Sequence, residues 1–300
     1  MIYTSEFYNR SFDKALRARA SVTNTPDLVE GYVERLNSYY LPTGFSGSFE
    51  DMVTEANLFR KHGTVIKTMS SEATIKAIDP KTRAELKPDG MAIQWGDEMT
   101  RDVFVHSYRI VCGTRISSEI AKDLKFDIDK YLYKEWADAF ASAEENLFIN
   151  GSGKTEPTGI LASSEVGVTA ETLTYDDIVS LFFTLKPKYR KKAVWIMNDK
   201  TAHALRKLKD SNGNYLWNHS DNTILGRPVE YSEFMPDAET GCKPIAFGDL
   251  SYYWIVERQS AMVKILSELF VQDGLIGYIV NERVDGKLIR PETVKTLEIK

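Results

Sequence analysis

The sequence has few thiols: its only cysteines, Cys112 and Cys242, lie far apart in a chain of 300 residues. Disulfide scaffolds and zinc sites need more thiols at closer spacing, so both are excluded. The pair is expected as buried thiols in a reducing compartment. An excess of basic charge is missing too, with 38 basic residues against 43 acidic and a formal net charge of −5. Proteins that grip nucleic acid through its phosphates carry a basic excess or a basic stripe. The densest basic run, Lys186-Pro187-Lys188-Tyr189-Arg190-Lys191-Lys192, reads as a solvated helix end. No stretch approaches the roughly 18 uninterrupted apolar residues of a membrane span. The start, Met1-Ile2-Tyr3-Thr4-Ser5-Glu6, has neither the basic nor the apolar region of a secretion signal. The expectation is a chain that stays in the cytoplasm until something assembles it. No segment is low in complexity, and no period of 20–50 residues points to a solenoid.

Apolar material is ample, at 43% hydrophobic and 11% aromatic, enough for a real core. Residues 1–50 read as an arm with short helices at 11–20 and 27–39, the second carrying Leu28, Val29, Val33 and Leu36. Pro42, Gly44, Ser46, Gly47 and Ser48 then make a flexible break. Residues 49–59 look helical and 64–68 look like a strand. Thr74-Ile75-Lys76-Ala77-Ile78 and Met91-Ala92-Ile93-Gln94-Trp95 alternate as strands, separated by the turn signals Asp79-Pro80 and Pro88-Asp89-Gly90. This long polar hairpin has little apolar surface of its own. An isolated two-stranded ribbon is marginal in water, so the hairpin needs a second surface to lie on.

Residues 104–111 form a further strand. From 127 to 148 the apolar Ile128, Leu132, Trp136, Phe140, Ala143 and Leu147 repeat at helical spacing, with Asp127 and Asp129 at the positive end of the dipole and Gly151 as the stop. Its adjacent Glu144 and Glu145 point to different faces, a poor arrangement for a two-carboxylate site. The second half predicts helices at 175–185, introduced by Thr174, and at 199–209. Strands are expected at 193–197, 245–250 and 252–256, with a hairpin ending at Gly226-Arg227-Pro228-Val229. Residues 262–300 read as strand broken at Asp273-Gly274 and Asp285-Gly286. Elements interleave without regular β-α-β units, so the fold class is α+β.

Chemistry-bearing motifs are thin. Gly151-Ser152-Gly153-Lys154-Thr155 ends like a phosphate loop, but Phe148 stands where the pattern needs its first glycine, and a helix precedes it instead of a strand. Gly44-Phe45-Ser46-Gly47-Ser48 misses the nucleophile-elbow spacing by one residue. His62, His106, His203 and His219 are scattered, with no metal spacing and no obvious acid partner. No catalytic, cofactor-binding or metal-ligating residue is assigned.

Several motifs in succession carry a resemblance. The long helix runs into Asn150-Gly151-Ser152-Gly153 and Pro157-Thr158-Gly159-Ile160-Leu161. Met197-Asn198, Leu208-Lys209-Asp210, Leu225-Gly226-Arg227-Pro228-Val229, Met235-Pro236, Phe247-Gly248-Asp249-Leu250 and Arg283-Val284-Asp285-Gly286 follow in order. Across roughly residues 40–300 this order resembles the major capsid proteins of tailed bacteriophages, those with the Hong Kong 97 fold. The resemblance implies an N-terminal arm (1–50) lying across adjacent subunits and an extended hairpin loop (70–100) over a neighbour. It implies a peripheral domain (51–69, 101–161 and 259–300) built on the spine helix, and an axial domain (162–258). It implies no enzyme, but pentamers and hexamers closing an icosahedral head around double-stranded DNA, held without sequence-specific binding. The protein would assemble in host cytoplasm and reside in the virion. Portal, scaffold and maturation protease would be partners, with a decoration protein as an optional one, and no membrane. Lys81, Arg83, Glu85, Lys87 and Asp89 on the hairpin are the candidate intersubunit contacts.

Two departures stand out. Ser5-Glu6-Phe7-Tyr8-Asn9-Arg10-Ser11-Phe12 resembles the start of a mature arm, which implies a scaffold that is cleaved off, is a separate protein, or lies outside this sequence. Lys81 and Lys87 could donate to an isopeptide cross-link, but Phe270-Val271-Gln272-Asp273-Gly274 lacks the acceptor asparagine. An encapsulin-like nanocompartment shell shares the implied fold and is the alternative; a P-loop or hydrolytic enzyme is the remote one.

Overall fold

Capping and periodicity set most local structure, and the computed structural model describes residues 6–17, 28, 32–34, 37–41, 43–68, 73–79, 99–123, 127–210, 212–217 and 222–300. In chain order these form α1 (Glu6–Leu16), β1 (Tyr32–Val33), β2 (Ser38–Tyr40), α2 (Thr43–Ala56), α3 (Leu58–His62) and β3 (Thr64–Lys67). Next come β4 (Ala73–Asp79), β5 (Met99–Val105), β6 (Tyr108–Ser117), α4 (Ser118–Lys122) and the spine α5 (Ile128–Asn150). Then follow α6 (Ile160–Ser163), β7 (Glu165–Ala170), α7 (Tyr175–Thr184), α8 (Pro187–Arg190), β8 (Val194–Met197) and α9 (Asp199–Arg206). The chain closes with β9 (Thr223–Ile224), β10 (Arg227–Tyr231), β11 (Ile245–Gly248), β12 (Tyr253–Leu266), β13 (Leu275–Leu288) and β14 (Val294–Ile299).

Three sheets result. The first runs β1-β2-β12-β13-β6, with β3 also on β12; the second runs β7-β14-β11-β8-β10-β9; β4 and β5 pair alone. At 23 residues the spine spans about 35 Å. Asp127 caps it by accepting from the Lys130 amide. Its apolar side packs with Tyr8, Phe12 and Leu16 of α1, Phe49 and Val53 of α2, and Ile276, Tyr278 and Val280 of β13. A second core fills the other sheet, where Trp195 and Phe247 stack at 4.0 Å. A third joins the two around Phe59, Phe148 and Tyr253, whose ring centroids lie 4.9–5.6 Å apart.

Several expectations are corrected. Residues 27–39 do not form the expected helix: Tyr32–Val33 and Ser38–Tyr40 are antiparallel strands turned at Asn37. Pairing of Tyr39 and Tyr40 with Val263 and Met262 of β12 outweighs the helical period. The expected break at 42–48 is absent from 43 onward, because α2 already begins at Thr43; packing of its later turns on the spine sustains it. The helix expected at 49–59 is interrupted at Asn57, whose side chain caps α3 by accepting from the Phe59 and Arg60 amides.

The strand expected at 104–111 is two strands, because β5 belongs to the hairpin and β6 to the first sheet. β4 pairs with β5, and the strand expected at 91–95 lies outside the described residues. No break occurs at Asp285-Gly286: β13 runs through both. The helix expected to reach 209 ends at Arg206. Both cysteines are half-buried rather than buried. The described part of the arm is seated on its own chain, with Tyr8 and Leu16 fully buried.

β12 runs through position 258, and β14 pairs with β11 and β7 in the second sheet. The chain thus passes from the first sheet at β13 into the second at β14.

Candidate functional site

The motif glycines mark close packing rather than ligand loops. Ahead of Lys154 the backbone folds on itself: Ser152 N donates to Glu156 Oε1 at 2.9 Å and Gly153 N to the Pro157 carbonyl at 3.2 Å. Gly151 N donates back to the Leu147 carbonyl at 2.9 Å. The Gly151, Ser152 and Gly153 amides are thus engaged within the chain, and the loop caps the spine. A Cβ on Gly159 would meet the Ile149 carbonyl and, at 2.6 Å, the Gly151 amide. That contact seats Pro157-Thr158-Gly159 against the spine's end.

Where the spine meets the long β12–β13 hairpin, one buried cation serves several carboxylates. Arg60 donates from Nε to Glu144 Oε2 at 2.7 Å and from Nη2 to Oε1 at 2.6 Å. Glu282 lies 3.8 Å from the same guanidinium. Asn57 Nδ2 donates to Glu144 at 3.1 Å and to the Ala141 carbonyl at 3.2 Å. Glu144, Glu257 and Glu282 are all buried. Burial opposes the charge on Arg60, but the field and hydrogen bond of Glu144, with Glu282 and Glu257, hold its pKa above the ordinary arginine value. Burial, then the neighbouring Glu144, pushes the pKa of Glu282 well above its ordinary value, which favours its neutral form. The cluster binds α3, the spine, β12 and β13 into one unit. The expectation that Glu144 and Glu145 face apart holds, but the sequence reading missed their burial. A signal was present: Glu144 occupies the step between Phe140 and Phe148 on the buried stripe.

A strap after β10 joins the spine to the second sheet. Glu145 accepts from Ser232 Oγ at 2.5 Å and from the Leu58 amide at 3.3 Å; burial, more than these bonds relieve, raises its pKa. Asn198 caps α9 through the Thr201 amide and donates to the Met235 carbonyl and Asp237. His62 Nε2 donates to Glu230 at 2.8 Å. The sequence offers no obvious acid partner near any histidine, and position 230 is too far along the chain for spacing to reveal this one. The His62 hydrogen bond and the charge of Lys61 hold Glu230 below the ordinary carboxylate range. A cavity of about 320 Å³ beside the strap is lined by Asn198, Lys200 and Asp237. These polar groups bind one another, with Lys200 on Asp237 at 2.6 Å and Asn198 on Asp237 at 2.7 Å.

Among the described residues, the β4–β5 hairpin is fastened to the rest of the fold near its base. Arg101 donates to the Ile289 carbonyl, Lys287 to the Phe104 carbonyl, and the His106 amide to Asp285. Phe104 on this ribbon is 66% exposed. The candidate contacts Lys81, Arg83, Glu85, Lys87 and Asp89 lie outside the described residues. Among the described residues no group of three or more His, Cys, Asp or Glu is placed to hold a metal ion. No described helix is long and apolar enough to cross a membrane.

The whole arrangement is similar to known capsid proteins. The sequence model of the phage capsid family matches residues 37–299. The capsid of an empty GTA particle, computed with C5 symmetry, superposes with a TM-score of 0.69 at 27% identity, covering 81% of this chain and 90% of that chain. The capsid of the native GTA particle gives 0.66 at 26% identity, over 81% and 90%. A chain from Microbacterium phage Oxtober96 gives 0.61 at 14% identity, over 81% and 91%, a likeness of fold alone. No curated protein sequence matches the chain.

Proposed function

Because this chain belongs to the phage capsid family, we propose that its copies close as pentamers and hexamers into an icosahedral phage head enclosing double-stranded DNA. The observation that carries the reading is the β4–β5 ribbon, a sheet of two strands that stands apart from the other two. Its exposed Phe104 gains a burial surface when the ribbon lies on a neighbour. Lys81, Arg83, Glu85, Lys87 and Asp89, in the sequence between its two strands, would then make the intersubunit polar contacts. Residues 162–258, completed by β14, would meet their copies around five- and sixfold centres. Residues 51–69, 101–161 and most of 259–300 would form the peripheral wall. Weak contacts repeated around closed rings supply the stability. The same reading brings in portal, scaffold and maturation protease as partners, allows a decoration protein, and leaves catalysis outside this subunit. It puts the chain in host cytoplasm during assembly and in the virion afterwards.

Negative-stain microscopy of the expressed protein tests it, with rings of five and six subunits and closed shells expected. Charge reversal at both Lys81 and Lys87 should cut shell yield at least about tenfold. A protein that stays monomeric at high concentration by sedimentation, with its hairpin folded, would overturn the reading.

A further inference from the structure

The net acidity of the chain conceals a cationic face. The side of the first sheet turned away from the spine is set by register: Arg109 stands beside Arg283, Val111 beside Asn281, Gly113 beside Ile279 and Arg115 beside Gly277. On the next strand Lys264 stands beside Ile279. Alternation puts Ile276, Tyr278 and Val280 on the spine side, in the core, so the arginines and Lys264 share the opposite face. Arg109 and Arg115 are exposed. Asp285, next in the same alternation, is fully buried and accepts the His106 and Gly286 amides, so its charge does not reach the surface. Among the described residues none of these four cations pairs with a carboxylate. Arg283 donates to the Ser107 carbonyl, and Arg115 lies over the Phe270 ring.

We infer that this face, Arg109, Arg115, Lys264 and Arg283 together, contacts the phosphate backbone of the nucleic acid that the shell encloses. The inference rests on the capsid reading and adds a surface to it. Three strands make a strip about 10 Å wide, and six residues of β6 make it about 20 Å long. A duplex of that length carries about 12 phosphate charges, more than enough to engage four cations. A protein partner fits less well. The one large apolar side chain well exposed on these β6 and β13 positions is Val111, at 49%, too little for the apolar centre of a protein interface. Phosphate contact of this kind reads no sequence.

The test uses the full-length protein below its assembly concentration and a labelled DNA duplex of about 30 base pairs, followed by fluorescence anisotropy between about 50 and 200 mM KCl. Arg109→Gln with Arg115→Gln should weaken binding about tenfold at the low-salt end and reduce the salt slope by about 2. Both side chains are exposed, so the melting temperature should hold, and it serves as the folding control. Lys188→Gln with Lys192→Gln, in the basic run at 186–192, should leave binding within about twofold. The inference falls if the unmodified protein fails to bind the duplex, if the arginine variant binds equally well, or if the lysine variant loses as much. It falls also if the arginine variant keeps its DNA binding but stops forming shells, since the face is then a contact between subunits. Shells formed by the variant with DNA binding lost would support it. Loss of DNA binding in the unmodified protein with shells intact would leave the capsid reading standing alone.

Discussion

Arg60 and Glu144 face each other as a two-pronged pair, Nε on Oε2 at 2.7 Å and Nη2 on Oε1 at 2.6 Å, with both side chains buried. Removing one partner strands the other without water. Arg60→Leu should therefore cost about 3–5 kcal/mol by urea denaturation. Glu282→Gln should cost less than about 1 kcal/mol, because burial and Glu144 favour the neutral carboxyl there and a neutral amide fits the same role. Equal losses from the two variants would show that Glu282 carries a charge.

Gly286 owes its identity to crowding, not to turn geometry, since β13 continues through it. A Cβ there would meet the Tyr253 hydroxyl and come within 2.7 Å of the Phe148 ring. Those rings form the aromatic junction between the two sheets and have no room to withdraw. Gly286→Ala should lower stability by about 1–3 kcal/mol, read as a drop in the thermal midpoint. An unchanged midpoint would mean that the junction can open at little cost.

Asp129 links acidity to docking of the N-terminal helix. Burial first, then the charge of Asp13 on α1, pushes its pKa from 3.8 up to about 7. Arg17, paired with Asp13 at 2.8 Å, offsets part of this. The folded state thus holds a proton that the unfolded chain has released. Its contribution is complete below the ordinary value near 3.8 and is lost as pH rises towards 7. Melting between about pH 5 and pH 8 should show stability falling as pH rises, by on the order of 2 kcal/mol. Asp129→Asn should flatten that slope; a slope unchanged in the variant would assign it elsewhere.

Lys154 tests the phosphate-loop reading directly. Its preceding amides are engaged within the chain, so ATP titration by calorimetry should give no saturable heat in the native protein. Saturable binding abolished by Lys154→Ala would reinstate a nucleotide site.

Local signals were legible wherever the decisive partners were near in sequence. Asp127 caps the spine and Thr174 with Asp177 builds a capping box, because a cap closes within three residues. The hairpin turn at Leu225-Gly226 is of the same kind, both residues taking positive φ. The reading failed at Ser38–Tyr40, whose strand character comes from β12, more than two hundred residues away, and at Tyr32–Val33, which pairs on Ser38–Tyr40 in turn.

By itself, then, the sequence determined the α+β class, the spine with its caps, the ordered motifs and the absence of a recognisable catalytic constellation. Tertiary structure alone decided that Glu144 meets Arg60, that His62 meets Glu230, and that β14 crosses into the second sheet. It also decided that arginines scattered along an acidic chain share one open face. The physical reason is that helices and caps are settled by neighbours in the chain. Burial, strand partners and charge clustering are settled by surfaces that meet only when distant segments pack.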